Sequence, residues 1–136
     1  MAAFFPADLL HRARIATPAQ PLHPPRIQKL ATIFGMETLL TPDATAAITF
    51  NHVIAHYSPL SLRTLFHELV HVEQYKQLGV RGFARRYVRG FLRTGAYESI
   101  PLEMHAYEMD ERYAANPALR FSVRDEVRRW IEEGNY

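Results

Sequence analysis

The sequence predicts a predominantly α-helical α+β domain, with one strand or a small β-sheet placed just before a long central helix. Apolar residues recur at helical spacing over most of the 136-residue chain. One stretch, Ala47 to Ile54, alternates apolar and polar residues instead. Proline, glycine and serine fall where such elements would start and stop.

Composition narrows the chemistry. The apolar fraction is 48%, typical of a globular chain. A domain of this length can bury a core without disulfides. There is no cysteine, which removes a disulfide framework, a thiolate metal site and a cysteine nucleophile. A metal site must therefore use His, Asp or Glu. The formal net charge of +2 points only weakly to nucleic acid or an anionic membrane. The first residues lack a basic segment followed by an apolar one, so no secretory signal is expected. No apolar run approaches the roughly 18–20 residues of a spanning helix. The expectation is a soluble, cytoplasmic protein.

Taken in order, Pro18, Pro21, Pro24 and Pro25 predict an extended arm, because proline removes donors and biases its predecessor away from helix. The arm divides an N-terminal segment, residues 1–25, from a single domain over 26–136. Ile27, Leu30, Ala31 and Phe34 predict a short helix that Gly35 ends. In the alternating stretch, Ile48, Phe50, His52 and Ile54 share one face of a strand, and Thr49, Asn51 and Val53 the other. Ser58-Pro59 reads as an N-cap with proline at the first helical position. The central helix then runs to about Leu78, with Gly79 as its stop. Residues 81–95 predict a further helix carrying five arginines, with Phe83, Tyr87, Val88, Phe91 and Leu92 between them. Pro101 opens a helix that ends before Asn116-Pro117. Ser122 caps a last one, with Val123, Val127, Trp130 and Ile131 inside. No internal repeat is read.

The central helix carries His67-Glu68-Leu69-Val70-His71. Residues four apart lie one turn apart on nearly the same line, so both imidazoles can reach one metal ion. Glu68, about 100° further round, can reach a water bound to that metal and take its proton. Zinc lowers the pKa of such a water towards about 7. Leu62, Leu65, Phe66, Leu69 and Val72 cover the opposite side and predict a helix packed into the core.

Thr64 to Glu73 resembles the longer motif of the zincin metallopeptidases, departing only at Glu73, where a hydrophobic residue is usual. Gln74 and Gln77 stand where the metzincin branch has glycine and histidine. The stretch Tyr97 to Tyr107 looks like the second helix of the gluzincin branch, which supplies a glutamate ligand. The resemblance is to minimal single-domain gluzincins and covers roughly residues 45–115. It implies a zincin-like fold, a zinc cofactor and hydrolysis of peptide bonds.

On helical geometry alone the third ligand stays open among Glu98, Glu103, His105, Glu108 and Asp110. Glu103 is favoured by its first-turn position, where a carboxylate gains from the helix dipole, and by small Ala106 three residues on. The family pattern points the same way. His67, His71 and Glu103 would leave a fourth position for water, as catalytic sites do. Asp110 and Glu73 are candidates to orient the imidazoles. Tyr97 is the preferred donor to a developing oxyanion, ahead of Tyr107 and Arg93. Asn51 and His52, on a strand that could bind an extended peptide, are possible substrate contacts.

The leading expectation is a zinc-dependent peptidase with Glu68 as general base, acting on a peptide or protein, with neither nucleic acid nor membrane as partner. The competing one is a non-catalytic binding or scaffold module that keeps the fold and the metal. A nucleic-acid reading rests only on the arginine run, whose simpler explanation is a solvated helix face with its aromatics turned inward.

Overall fold

In a computed structural model the chain is described over residues 1–17, 47–56, 58–116, 118–134 and 136. The proline arm beyond residue 17, the helix expected over 26–34 and the boundary at 25/26 lie outside the described residues. The elements are α1 (Ala7–Arg12), β1 (Arg14–Ala16), β2 (Ala47–Phe50), β3 (Val53–His56), α2 (Leu62–Thr94), a 3-10 turn (Tyr97–Ser99), α3 (Pro101–Ala115) and α4 (Val123–Glu132). The described part is mostly helical, with one small sheet of order β1-β3-β2. No helix among the described residues is long and apolar enough to cross a membrane.

The single strand expected over 47–54 is two strands. Asn51, at φ 57°, takes the left-handed conformation that asparagine tolerates, and the chain reverses there. Antiparallel pairing then sets Thr49 opposite Ile54 and Phe50 opposite Val53. Directly opposed residues share a face. Thr49 therefore joins Ile54 on the inner side, where a continuous strand would have separated them. Among the described strands, β2 lies at an edge of this sheet.

The central helix begins three residues later than expected. Ser61 is its N-cap, its hydroxyl accepting from the Thr64 amide at 3.0 Å. Gly79 does interrupt the helix, at φ 69° and ψ 163°, but as a kink from which helical residues continue to Thr94. That backbone region is open essentially to glycine alone. Before the kink, Phe66, Leu69, Val70 and Val72 are buried, each burial contributing about 1.5–3 kcal/mol. Leu62, expected on this inner face, is 66% exposed.

α3 starts at Pro101, as expected, and buries Leu102, Ala106 and Met109, while Tyr113 stacks on Phe66 at 4.5 Å. α2 and α3 meet closely because Gly90 has no side chain. A Cβ there would lie 2.8 Å from Pro101 Cδ. Ser122 caps α4, accepting from the Asp125 amide, and Val123 and Val127 are buried. The N-terminal segment, set apart by the sequence reading, is built into this core. Phe4, Phe5 and Leu9 are buried, Phe4 meets Phe66, Tyr113 and Phe121 edge-on, and β1 pairs in parallel with β3.

Candidate metal centre

α2 projects His67 and His71 from one line, and the close crossing of α3 brings Glu103 from its first turn against them. The three donor atoms converge. His67 Nε2 and His71 Nε2 are 3.1 Å apart, and Glu103 Oε2 is 3.3 and 3.2 Å from them. All three residues are buried, and together they form a group able to hold a metal ion.

The hydrogen bonds at the other ring nitrogens show why these atoms suit a cation. His67 Nδ1 donates to Asp110 Oδ2 at 2.9 Å. His71 Nδ1 donates to Gln74 Oε1 at 2.8 Å. The Gln74 amide is oriented by its own NH2, which donates to the Leu102 carbonyl at 3.0 Å. With both Nδ1 atoms protonated, each neutral ring turns a bare Nε2 inward. Two lone pairs and a carboxylate oxygen then face one another within 3.3 Å, and they repel unless a positive charge lies between them. Tetrahedral zinc with bonds of about 2.0–2.1 Å separates its donors by roughly 3.3 Å, so the present spacing fits without rearrangement.

The same convergence attracts protons. Burial opposes the imidazolium at His67, but the Asp110 and Glu103 carboxylates outweigh it and raise the group to about 9. His71 is raised too, with burial opposing and Glu103 the main favourable cause. Burial also works against the Glu103 carboxylate, yet the His71 and His67 rings hold it well below the usual range.

Around this group stand further polar side chains. The Thr49 hydroxyl, on β2, lies 2.7 Å from Glu68 Oε2 and donates to it, which ties the helix carboxylate to the edge strand. The Tyr87 hydroxyl donates to Glu103 Oε1 at 2.9 Å and leaves Oε2 for the imidazoles. Tyr97 faces Glu103 as well, and its phenol is pushed far up by burial and by that carboxylate. Tyr107 lies against His67, with ring centres 4.7 Å apart, and is raised to about 12 by burial and then by Glu103. All these phenols stay protonated and able to donate at neutral pH.

The other candidates fall elsewhere. Asp110 sits behind His67 and also accepts from Arg63 at 2.7 Å. Glu98 and Glu108 are exposed. His105 stacks on Trp130 at 4.6 Å and is lowered to about 4, chiefly by burial. Glu73 orients neither imidazole. Its carboxylate accepts from Gln77 at 2.8 Å and lies near Arg124 of α4, because it projects from the opposite side of α2. The partner of His71 is Gln74 instead, three residues on. Asn51 and His52 form the turn of the hairpin. Gln74 was accessible from helical spacing. Thr49 and Tyr87 were not, because their roles depend on the hairpin and on helix residues beyond the kink.

Comparison with known protein families, curated proteins and solved structures finds no match to this chain.

Proposed function

We propose that this chain is a minimal zinc-dependent peptidase of the gluzincin kind. The observation that carries the reading is the convergence of His67 Nε2, His71 Nε2 and Glu103 Oε2 within 3.3 Å, with Glu68 one residue from the first of them. Bound by these three residues, zinc would act as a Lewis acid towards a peptide carbonyl and would acidify a water at neutral pH.

The chain's own residues supply the rest. Glu68 accepts the proton of the attacking water and later delivers it to the leaving amine. Thr49 holds that carboxylate on one oxygen and leaves the other free for the proton. Asp110 and Gln74 hold the imidazoles in the tautomer that presents Nε2. Tyr97 or Tyr107, both phenols held protonated, donates to the oxyanion as it forms. An extended substrate lies along β2, whose edge position among the described strands leaves backbone groups for pairing and whose Thr49 bonds to Glu68.

The test is hydrolysis of a broad peptide library by the full chain loaded with zinc, beside Glu68→Gln. The expected result is cleavage by the wild type, reduced at least 100-fold in the variant while zinc is retained. Equal activity of the two proteins, or none in either with zinc in place, would favour a metal-holding scaffold module.

A further inference from the structure

The part of α2 beyond the kink shows an outer surface that the metal centre does not use. From Val80 the chain repeats a four-residue pattern of apolar residue, arginine, a third residue and aromatic, through Val80-Arg81-Gly82-Phe83, Ala84-Arg85-Arg86-Tyr87 and Val88-Arg89-Gly90-Phe91. Leu92-Arg93 begins a fourth round. Residues four apart form an inclined line on a helix. Three lines result. Phe83, Tyr87 and Phe91 turn inward onto the second core cluster. Val80, Ala84, Val88 and Leu92 are all exposed, and so are Arg81, Arg85, Arg89 and Arg93 beside them.

Among the described residues none of those four guanidinium groups has a hydrogen-bond, ion-pair or ring partner. By contrast Arg124, Arg128 and Arg129 of α4 each pair with an acid. Residues 74–97 contain six cations and no acid, in a chain whose net charge is only +2. Nor does the sequence of residues 18–46 offer an anionic segment to neutralise them: Glu37 and Asp43 are offset by Arg26 and Lys29.

We propose that this face lies on an anionic lipid bilayer, with the arginines at the phosphates and the adjoining apolar line at the acyl boundary. An exposed surface of parallel cationic and apolar lines matches the helices that lie in a membrane interface. Guanidinium is the cation best shaped for bidentate phosphate contact. Nucleic acid would use the cations but leave the apolar line in contact with nothing, and the aromatics that could stack on bases face the core. The expectation of no membrane partner rested on the lack of a spanning run and on the small net charge; a helix lying on the surface needs no span, and the cations are concentrated on this one face.

The experiment is flotation of the full chain with vesicles of phosphatidylcholine alone or with about 30 mol % phosphatidylserine, at moderate salt. Binding is expected only to the anionic vesicles. Arg85→Gln/Arg89→Gln should weaken it about 25-fold, at about fivefold per cation. Leu92→Asn should weaken it as well. Arg128→Gln/Arg129→Gln, with the same change in net charge, should leave it as in wild type. These positions are exposed, and circular dichroism checks that the fold is kept. The proposal is overturned by absent vesicle binding, by equal loss in the two double variants, or by a Leu92→Asn protein that binds undiminished. Binding to a single-stranded oligonucleotide but not to anionic vesicles overturns it too, in favour of nucleic acid.

Discussion

Asp110 and Gln74 decide the tautomers of His67 and His71, and through them the direction in which each ring offers its lone pair. Removing either acceptor frees the ring to turn or to protonate at the wrong nitrogen. Asp110→Ala and Gln74→Ala are each expected to lower metal affinity 10- to 100-fold, read by competition with a chromophoric chelator. The protons of the triad lead to a second expectation. His67 is raised from 6.5 to about 9, so its contribution to the stability of the metal-free protein is complete below about 6.5 and disappears as pH rises through about 9. His71 acts in the same direction. Glu103 is depressed, so its contribution is present above about 4.5 and fades as pH falls towards its folded value. His105 is lowered to about 4, so the folded protein loses stability as pH falls from about 6.5 towards 4. Metal-free protein should therefore unfold at its highest temperature near pH 6.5 and lose stability from there to pH 9. Zinc needs unprotonated ligands, so saturating zinc should reverse the alkaline trend. Thermal melts across pH, with and without zinc, check both signs; a metal-free melting temperature that rises from pH 6.5 to 9 would contradict the assignment.

At the scale of elements, two glycines of α2 carry different constraints. Gly79 stands at φ 69° with nothing within 4 Å of a Cβ, so its requirement is conformational. Gly90 has ordinary helical backbone but no room, with Pro101 Cδ 2.8 Å from a Cβ. Gly79→Ala should cost about 1–3 kcal/mol by backbone strain while leaving the metal site in place. Gly90→Ala should cost about 1–3 kcal/mol by overpacking, and it should also weaken metal binding, since it pushes α3 and Glu103 away from α2. Chemical denaturation paired with zinc titration separates the two. The elements themselves were largely legible from the sequence, because Ser122, Pro101 and the His67–His71 spacing are local signals. The hairpin was not. Its alternation runs straight through Asn51, and only the left-handed turn there reverses which residues share a face. For the same reason Thr49 gave no sign of its bond to Glu68. Ser58-Pro59 was a plausible cap, but Ser61 has the amide of Thr64 within reach and the helix starts there.

At the scale of the whole molecule, one core joins the first residues of the chain to the last helix. Phe4 meets Phe66 of α2, Tyr113 of α3 and Phe121 ahead of α4, and its carbonyl accepts from the Val123 amide at 3.0 Å. Asp8 extends the link through Lys76 and Arg124, though these exposed pairs add little. Composition could not reveal this, because the prolines after residue 17 read as a division and the contacts span more than a hundred residues. Phe4→Ala is expected to destabilise the fold by about 3–5 kcal/mol in chemical denaturation, and a value under about 1 would mean that the N-terminal segment is not part of the core. That core holds α2 and α3 at the distance where three donor atoms, read in the sequence as a histidine pair and one of several acids, meet at a single point. Equilibrium dialysis of the full chain against zinc tests this most directly, with His71→Ala and Glu103→Ala alongside. One tightly bound ion per chain is expected in the wild type, with binding lost in His71→Ala and strongly weakened in Glu103→Ala. A wild-type chain that takes up no metal, or variants that bind as tightly as it does, would contradict the account.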